Sequence, residues 1–391
     1  MSQSPRLLDL IQDCLDDFID ERSSILADIG PDATPLVEHS RDFLRGGKRF
    51  RALFAYWGWS GIVEHRSDQP FVGSSVSDSP DALASDPAAA TAVAMERDRA
   101  AVIQVASALE LFHAAALVHD DVIDNSDTRR GTPSAHKRFE LTHRNGNWRG
   151  NPEEFGRSSA ILLGDLLQFW SDELLSDGIL ELSNTEWARR SRLHFNQMRT
   201  DVGAGQYLDL LEEQIWGNAS HDEQLERSTR VLVYKSAKYS VEAPLLIGSA
   251  LGGATDDQED ALSNFGLPLG VAYQLRDDVL GVFGDSEVTG KPSGDDLREG
   301  KQTVLIALTR RNLPGNQRRL FDELIGDPTL DLNQITLLQN TITDSGALDA
   351  VEKMIDDNVD RAQQALRAAP IGPVTARQLA ALAKKVTNRS F

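Results

Sequence analysis

Apolar residues recur at three- and four-residue spacing through most of the chain, and this periodicity is the strongest constraint on its fold. The pattern is that of amphipathic helices. It predicts helices over 6–29, 100–124, 159–180, 187–215, 225–251, 258–283, 301–312, 334–342 and 347–368. No series of alternating polar and apolar residues indicates strands, so we expect an all-α fold. No linker separates two cores, and we expect one domain over residues 1–391.

Two polar segments interrupt the helical pattern. Residues 64–98 are rich in Ser, Asp, Pro and Ala, which predicts a mobile insertion with a short helix near its end. Residues 139–157 are rich in Gly and Asn and are expected to form a loop. Five histidines are also expected at the surface or in loops: His39, His65, His143, His194 and His221.

The charge and cysteine content exclude several classes of function. The chain has 60 acidic and 40 basic residues, a formal charge of −20, so its overall field does not attract nucleic acid or an anionic membrane. An anionic substrate would therefore need local cations or a bound metal. The single cysteine excludes a disulfide framework. The N-terminus lacks a signal-peptide pattern, and we find no apolar run of about 18 residues. We expect a cytoplasmic protein without stable membrane insertion.

The stretch "LVHDDVIDNSDTRRG" joins an apolar helix to a cluster of charge. Asp120 and Asp124 project from one helix face, where like charges repel. A divalent cation between the carboxylates would offset that repulsion, and Mg²⁺ favours one or two carboxylates together with water and phosphate oxygens. Arg129 and Arg130 follow and suit the paired oxygens of a diphosphate. The alternative is a solvated acidic helix end beside a basic turn.

The stretch "YQLRDDVLGVFGD" repeats this arrangement. A helix leads into Asp277 and Asp278, with Gln274 on a similar face. Lys291 and Lys301 follow among Gly and Pro, where a loop can bend over an anion. One such pair alone is weak evidence, but two aspartate pairs at helix ends, each followed by cations, favour a shared site.

Two further basic segments are candidates for anion binding. "RGGKRFR", residues 45–51, has glycines before its cations but lacks the spacing of a phosphate-binding P-loop, and the alternative is a simple basic turn. Lys235 and Ser236 lie inside an apolar helical pattern. Lys235 therefore points either into a polar cavity or along the surface to solvent.

Together these motifs resemble the trans-type polyprenyl (isoprenyl) diphosphate synthase family, over roughly residues 40–305. The residues that carry the resemblance are "DDVIDNSDTRRG", "GGKRFR", "ELFHAAALVHDD", "GQYLD", Lys235–Ser236 and "YQLRDD". The resemblance implies a large helical bundle around a deep central cavity, the isoprenoid synthase type I fold, and a homodimer. It also implies a Mg²⁺-dependent prenyltransferase that condenses isopentenyl diphosphate head-to-tail with allylic diphosphates (dimethylallyl, geranyl, farnesyl).

The resemblance also implies roles for the matching positions. Isopentenyl diphosphate would be bound by Lys48, Arg51, His113 and Arg130. Mg²⁺, roughly three ions per active site, would be held by Asp120, Asp124, Asp277 and Asp278, with support from Asp209. The allylic diphosphate would be bound by Arg129, Lys235, Ser236, Gln274, Lys291 and Lys301. The residues expected to be catalytic are Asp120, Asp124, Arg129, Lys235 and Asp277. The released diphosphate is the expected proton acceptor, so no protein base is required.

The sequence departs from the family pattern at three positions. Gly281 stands where a third aspartate of the second motif is common, Ser236 replaces the usual threonine, and Ala52 replaces a common proline. The first two aspartates of the second motif usually hold the metal, so we expect activity to survive Gly281.

The residues preceding Asp120 bear on product length. In the family, an aromatic residue near positions 115 and 116 limits the product to short chains, whereas here both are alanine. Phe112, one turn deeper, is a candidate floor, unless it is a core residue and another helix sets the floor. We therefore expect geranylgeranyl diphosphate, as in bacterial members of the family, with a longer polyprenyl or a farnesyl product as the alternative. Other classes that fit less well are a class I terpene cyclase and a non-catalytic subunit of a heteromeric synthase.

Overall fold

The structure is a computed structural model that describes residues 4–68, 87–182, 184–216, 219–284 and 293–387, and it confirms the all-α fold. The first half contains α1 (Ser4–Ile29), a 3₁₀ turn (Pro31–Ala33), α2 (Thr34–Leu44), α3 (Phe50–Asp68), α4 (Pro87–Ile123), β1 (Thr128–Arg129), β2 (Thr132–Pro133), α5 (Ala135–Asn145), α6 (Pro152–Leu180) and α7 (Thr185–Ile215). The second half contains α8 (His221–Val231), a π-helix (Leu232–Glu242), α9 (Ala243–Leu251), α10 (Asp256–Phe283), α11 (Asp295–Glu299), α12 (Val304–Asn312), α13 (Gly315–Leu324), α14 (Leu332–Asp344), α15 (Ala347–Ala368) and α16 (Pro373–Thr387).

The nine helices predicted from periodicity are all present, and the helix predicted over 225–251 is a continuous run of α8, the π-helix and α9. The periodicity did not reveal α2, α3, α5, α11, α13 or α16. That residues 1–391 form one domain stays a prediction.

Two long helices, α4 and α10, form the frame of the molecule. α4 packs against α6 and α3, while α10 packs against the π-helix and α15. Leu109 and Leu111 of α4 and Leu163 and Leu167 of α6 are fully buried. Burying a side chain of this size stabilises a fold by about 1.5–3 kcal/mol relative to leaving it exposed. This packing fixes the positions of the C-terminal ends of α4 and α10, where the two aspartate pairs lie.

The prediction of a loop over residues 139–157 holds only for 146–151, because α5 continues to Asn145 and α6 already begins at Pro152. The polar residues of α5 cover one face, where Arg144 and Lys137 both contact Glu140. Its other face buries Phe139. The start of α6 is capped by Asn151, whose Oδ1 accepts from the backbone N–H of Glu153.

The expected insertion at 64–98 is helical in its described parts. α3 extends to Asp68, and the helix expected near the end of the insertion is the beginning of the 37-residue helix α4. Residues 69–86, the middle of the predicted insertion, lie outside the described residues.

The five histidines predicted at the surface or in loops all lie in helices, and all are buried or half-buried. His143 departs furthest from the prediction, since it is buried at 4% exposure. Its Nε2 lies 3.2 Å from the carbonyl oxygen of Arg149, and its ring contacts Trp148 and Phe155. A polar-looking segment therefore supplies part of the core.

Within the described residues, one helix is apolar and long enough to cross a membrane by length and composition, which the sequence analysis did not anticipate. It is the segment Met95–Ile123 of α4. In this structure 72% of its most apolar window is buried inside the protein, as expected for the central helix of a packed core.

Candidate active site

The first aspartate pair lies at the end of α4 and is surrounded by cations. Lys235 Nζ lies 3.2 Å from Asp120 Oδ1, and Arg129 Nη2 lies 3.3 Å from Asp120 Oδ2. Lys301 Nζ lies 3.2 Å from Asp124 Oδ2. Burial alone would raise the pKa of Asp120, but Lys235, Lys301 and Arg129 together lower it below its usual value. Asp120 is therefore held ionised by cations from three different parts of the chain.

Asp121 anchors Arg129. The Asp121 side chain is fully buried, and its Oδ1 accepts from Arg129 Nε at 2.8 Å. Arg129 ends β1, and Arg130 and Gly131 form the two-residue turn to β2, with φ angles of 53° and 74°. Two successive positive φ angles are typical of a type I′ hairpin turn, in which glycine is favoured. The "RRG" sequence thus forms a tight hairpin that holds Arg129 against the aspartates.

Helix α7 adds polar groups that sequence analysis assigned only in part. Gln206 Nε2 donates to Asp120 Oδ1 at 3.2 Å, and Asp209 pairs with Lys235. α7 and the π-helix approach closely at Gly205, where an added Cβ would lie 2.7 Å from the Cα of Lys235. Glu213, one turn after Asp209, was not predicted at all. Burial and the charges of Asp209 and Asp124 raise its pKa to about 7.

The second aspartate pair lies near the end of α10. Asp277 is exposed, whereas Asp278 is buried and its Oδ1 accepts from Gln274 Nε2 at 2.8 Å. Burial, followed by the negative charges of Asp296 and Asp277, raises the pKa of Asp278 to about 8. The end of α10 therefore carries a carboxyl group, that of Asp278, whose surroundings disfavour its ionised form.

The segment after α10 brings the two motifs together. Ser126 Oγ, in the loop after α4, donates to Glu299 Oε1 of α11 at 3.0 Å. Lys301 follows α11 and pairs with both Asp124 and Glu299. Although burial opposes its charge, Asp296, Asp124 and Glu299 raise the pKa of Lys301 well above its usual value. The end of α4 is thus joined to α11, the helix that follows α10, through the half-buried and charged Lys301.

A second group of cations lies around Tyr239 of the π-helix. Arg51 Nη2 donates to Ser240 Oγ at 2.9 Å, and the Arg51 guanidinium lies 4.0 Å from the centre of the Tyr239 ring. The Tyr239 hydroxyl lies 3.0 Å from His113 Nδ1. Tyr239 therefore connects two of the residues predicted to bind isopentenyl diphosphate, a role that its position after "YKSAK" did not reveal.

The "GGKRFR" and "RRG" segments meet in this cation group. The Arg130 guanidinium lies so close to Gly47 that an added Cβ there would be 3.3 Å from Nη2. Burial, then repulsion from Arg49 and Arg129, lowers the pKa of Arg130. Burial and nearby arginines likewise lower the pKa of His113 well below its usual value. Like charges concentrated in this way attract an anion.

Arg49 anchors this segment and was not among the predicted site residues. Its φ of 49° is unusual for a residue other than glycine. Its guanidinium is buried and contacts Glu110 Oε2 at 3.3 Å and Gln12 Oε1 at 2.8 Å. Glu110 Oε1 also accepts from the Ala52 backbone N–H at 3.2 Å. The only signal for Glu110 in the sequence is a carboxylate inside the apolar run "LELFH".

The remaining predicted residues fall into three groups. Lys48 is exposed, with Nζ 6.0 Å from the centre of the Phe50 ring, and Ser236 is half-buried beside Lys235. Lys291 lies outside the described residues. Of the residues predicted to set product length, Phe112 and Ala115 are buried at 4% and 2% exposure, while Ala116 is half-buried. The Phe112 ring packs edge-on against Phe195 and Tyr239.

The aspartates fit Mg²⁺ by their chemistry. Within the described part of the chain, no three acidic or histidine side chains converge into a complete metal cage. Mg²⁺ does not require one, because it retains water and binds phosphate oxygens alongside one or two carboxylates. Burial, followed by the negative charges of Asp296 and Asp277, raises the pKa of Asp278, and a nearby cation would favour its ionised form.

Comparisons with known proteins agree with the resemblance. A sequence model described as polyprenyl synthetase matches residues 82–342. Geranylfarnesyl diphosphate synthase of Aeropyrum pernix is 30% identical over 280 residues, 72% of this chain and 80% of the relative. Geranylgeranyl diphosphate synthase of Methanosarcina mazei is 29% identical over 267 residues, 68% of this chain and 72% of the relative.

A solved structure matches over nearly the whole length. It is geranylgeranyl pyrophosphate synthase of Corynebacterium glutamicum, in complex with isoprenyl diphosphate and magnesium. It is 34% identical with a TM-score of 0.84, covering 98% of this chain and 99% of that one. With the family match spanning more than half of the residues, the chain belongs to the polyprenyl synthetase family.

Proposed function

We propose that this protein uses Mg²⁺ to condense isopentenyl diphosphate with allylic diphosphates and releases geranylgeranyl diphosphate. The chain is a prenyltransferase of the geranylgeranyl diphosphate synthase type. The observation that carries the detailed assignment is the pairing of an acidic site with a separate arginine group. Asp120 and Asp124 lie among Lys235, Lys301 and Arg129, which suits an allylic diphosphate with its metal ions.

The arginine group supplies a second diphosphate site. Arg51, Arg130 and His113 lie around Tyr239 and Gly47, and Lys48 is exposed nearby. We assign isopentenyl diphosphate to this group. A class I terpene cyclase has no second substrate and no need of such a site.

In the proposed reaction the protein binds both diphosphates and stabilises charge. When bound, Mg²⁺ would stabilise the negative charge that develops on the leaving diphosphate. We assign roughly three ions to Asp120, Asp124, Asp277 and Asp278. Lys235, Lys301 and Arg129, which contact the aspartates here, would turn to the diphosphate oxygens. The apolar wall of α4 excludes water that would quench the allylic cation, and the released diphosphate accepts the proton.

We also propose a cytoplasmic homodimer. Leu162 and Phe169 of α6 are 60% and 65% exposed, and an apolar surface of this kind suits a second copy of the chain. Sedimentation of the purified protein measures this state directly.

The direct test of the function is an incubation of the purified protein with Mg²⁺, isopentenyl diphosphate and each allylic primer, followed by measurement of product chain length. A 20-carbon product, roughly four isoprene units, is the expected result. A product longer than geranylgeranyl diphosphate would instead favour the polyprenyl alternative. So would a protein that forms product only from the longer allylic primers. Release of a cyclic hydrocarbon from geranylgeranyl diphosphate alone would favour a cyclase.

Product length should respond to Ala116. Because Ala116 is half-buried and lies one helical turn before Asp120, Ala116→Phe is expected to narrow the path of the growing chain and shorten the product. Ala116→Val, with a smaller side chain, should shorten it less. Ala115 is buried, so Ala115→Phe should in addition destabilise the fold by about 1–3 kcal/mol through overpacking. Unchanged products from both position-116 variants would contradict the assignment of this wall.

A further inference from the structure

The segment 45–51 carries three cations within four positions, and the structure uses them differently. Lys48 is exposed, and the Arg51 guanidinium lies 4.0 Å from the centre of the Tyr239 ring. Arg49 is instead buried, at 8% exposure. It thus lies between two residues predicted to bind isopentenyl diphosphate, yet its own side chain is turned into the protein.

Hydrogen bonds attach the Arg49 guanidinium to three other helices. It donates to Glu110 Oε2 of α4 at 3.3 Å, to Gln12 Oε1 of α1 at 2.8 Å, and to the carbonyl oxygen of Leu44 at the end of α2. The backbone of Arg49 has a φ of 49°, in the left-handed region that residues other than glycine rarely adopt. Such a conformation persists only where the surrounding structure holds it. The contacts of the guanidinium therefore fix the backbone of the segment.

Glu110 also fixes the first turn of α3. This helix begins at Phe50, and Glu110 Oε1 accepts from the backbone N–H of Ala52 at 3.2 Å. A carboxylate in this place satisfies a donor that the helix leaves unpaired and interacts favourably with the helix dipole. Arg51 lies in the same turn. The carboxylate that anchors Arg49 therefore also determines where Arg51 points.

The charge of Glu110 acts against anion binding. Burial, followed by Arg49 and Arg129, lowers the pKa of Arg130, whereas Glu110 raises it. Through its charge alone, Glu110 would weaken the binding of a diphosphate beside Arg130, because it offsets the positive potential there. Its contacts with the segment have the opposite effect on binding. The direction in which a Glu110 variant changes affinity therefore separates the two effects.

We propose that Glu110 and Arg49 are positioning residues for isopentenyl diphosphate. Their buried pair, supported by α1, holds the segment so that Lys48 and Arg51 are in place before the substrate binds, which lowers the cost of ordering on binding. The inference rests on the proposed function, because it assigns both residues to the isopentenyl diphosphate site. It also gives α1, which precedes the residues matched by the family model, a part in substrate binding.

The test is steady-state kinetics of the full-length protein with Mg²⁺, varying isopentenyl and farnesyl diphosphates in turn. Small displacements of binding groups can cost about a hundredfold, and we expect Glu110→Gln to raise the KM for isopentenyl diphosphate about 10–100-fold. The kcat and the KM for farnesyl diphosphate should stay within about threefold of the wild type, the pattern expected when binding of one substrate is lost. Removal of the negative charge would by itself lower the KM for isopentenyl diphosphate.

The variant Arg49→Met/Glu110→Gln separates a role in binding from a role in the fold. Removal of one partner of a buried ion pair leaves an unpaired charge, whereas replacement of both partners avoids that cost. The double variant should therefore melt closer to the wild type than Glu110→Gln does, yet keep the raised KM for isopentenyl diphosphate.

Two further variants complete the series. Gln12→Leu removes one hydrogen bond to Arg49 and should raise the KM for isopentenyl diphosphate less, by about two- to tenfold. Glu259→Gln is the matched control, because Glu259 at the start of α10 also pairs with an arginine, Arg190, at 2.8 Å. It lies at the opposite end of α10 from the second aspartate pair, and its KM values should stay within about twofold of the wild type.

A KM for isopentenyl diphosphate that is unchanged or lower in Glu110→Gln would overturn the inference. So would a return to the wild-type KM in Arg49→Met/Glu110→Gln, or an equal rise in the KM of both substrates. Failure of the proposed function is a different result, because the wild-type protein would then form no product from isopentenyl diphosphate. A wild-type protein that forms the product leaves the positioning role as the only question under test.

Discussion

The ends of α4 and α10 each present an aspartate pair, but their electrostatic surroundings differ. Asp120 lies within ion-pair distance of Lys235 and Arg129, and its pKa is lowered. Asp278 accepts from the neutral amide of Gln274, and its pKa is raised to about 8 by burial and then by Asp296 and Asp277. At the end of α4, Asp120 is thus ionised and neutralised by cations without metal, whereas burial raises the pKa of Asp124 one turn later. The α10 wall gains most from an added cation.

This difference implies separate roles in binding. If Asp120 and Asp124 bind Mg²⁺ as proposed, Lys235 and Lys301 would first exchange carboxylate oxygens for diphosphate oxygens. On α10 a metal ion would offset the burial and the like charges that disfavour ionised Asp278. We therefore expect Mg²⁺ and diphosphate to bind α4 together, whereas Mg²⁺ alone acts mainly on α10.

The largest expected effect follows removal of the Asp120 carboxylate, which is paired with Lys235 and Arg129. Asp120→Asn removes the partner of both Lys235 and Arg129 and a predicted metal ligand. Loss of even an outer-shell partner of a metal costs about 10–100-fold, so we expect kcat with farnesyl and isopentenyl diphosphates to fall by at least about a hundredfold. The control is Asp127→Asn in the same motif, where the exposed carboxylate contacts Lys137. A similar fall in kcat in both variants would show that activity depends on the total negative charge of the motif and not on the position of Asp120.

A smaller effect is expected when a balancing cation is removed. Lys235→Gln leaves Asp120 and Asp209 without their shared ammonium, and removing one partner of a buried polar pair costs about 1–3 kcal/mol or more of stability. Mg²⁺ alone should then raise the melting temperature more in the variant than in the wild type, because it replaces the lost charge.

Scanning fluorimetry with and without Mg²⁺ measures this response. Lys238→Gln is the matched control, three residues along the same π-helix, where Lys238 pairs with Asp201 at 3.4 Å. Its Mg²⁺ response should equal that of the wild type. If Lys235→Gln also responds like the wild type, the α4 wall is not balanced by Lys235 in the way that the structure indicates.

The contrast between the walls marks the limit of what the sequence predicts. Helical periodicity located α4 and α10 and put both aspartate pairs at helix ends, because those signals are local. The partners of the aspartates come from distant segments: Lys301 is 177 positions after Asp124, and only the packing of α11 brings them together. Asp296 carried no local signal, because only the fold brings its carboxylate against Gly281 of α10. The polar segment 139–157 was misread because its ion pairs cover one helix face.

The smallest expected effect concerns the α10 wall without metal. The pKa of Asp278 rises from an ordinary 3.8 to about 8 on folding. The folded protein therefore holds a proton that the unfolded chain releases, so stability from this group is present at low pH and is lost as pH rises toward about 8. Asp278→Asn cannot ionise and should gain stability relative to the wild type between pH 5 and 8, roughly the interval separating the two pKa values. Urea unfolding in EDTA across this range measures the difference.

Asp277→Asn, at an exposed position, should show a weaker pH dependence. A constant difference between Asp278→Asn and the wild type would mean that folding does not raise the pKa of Asp278. Saturating Mg²⁺ should reverse the order of stability by favouring the ionised wild-type carboxylate.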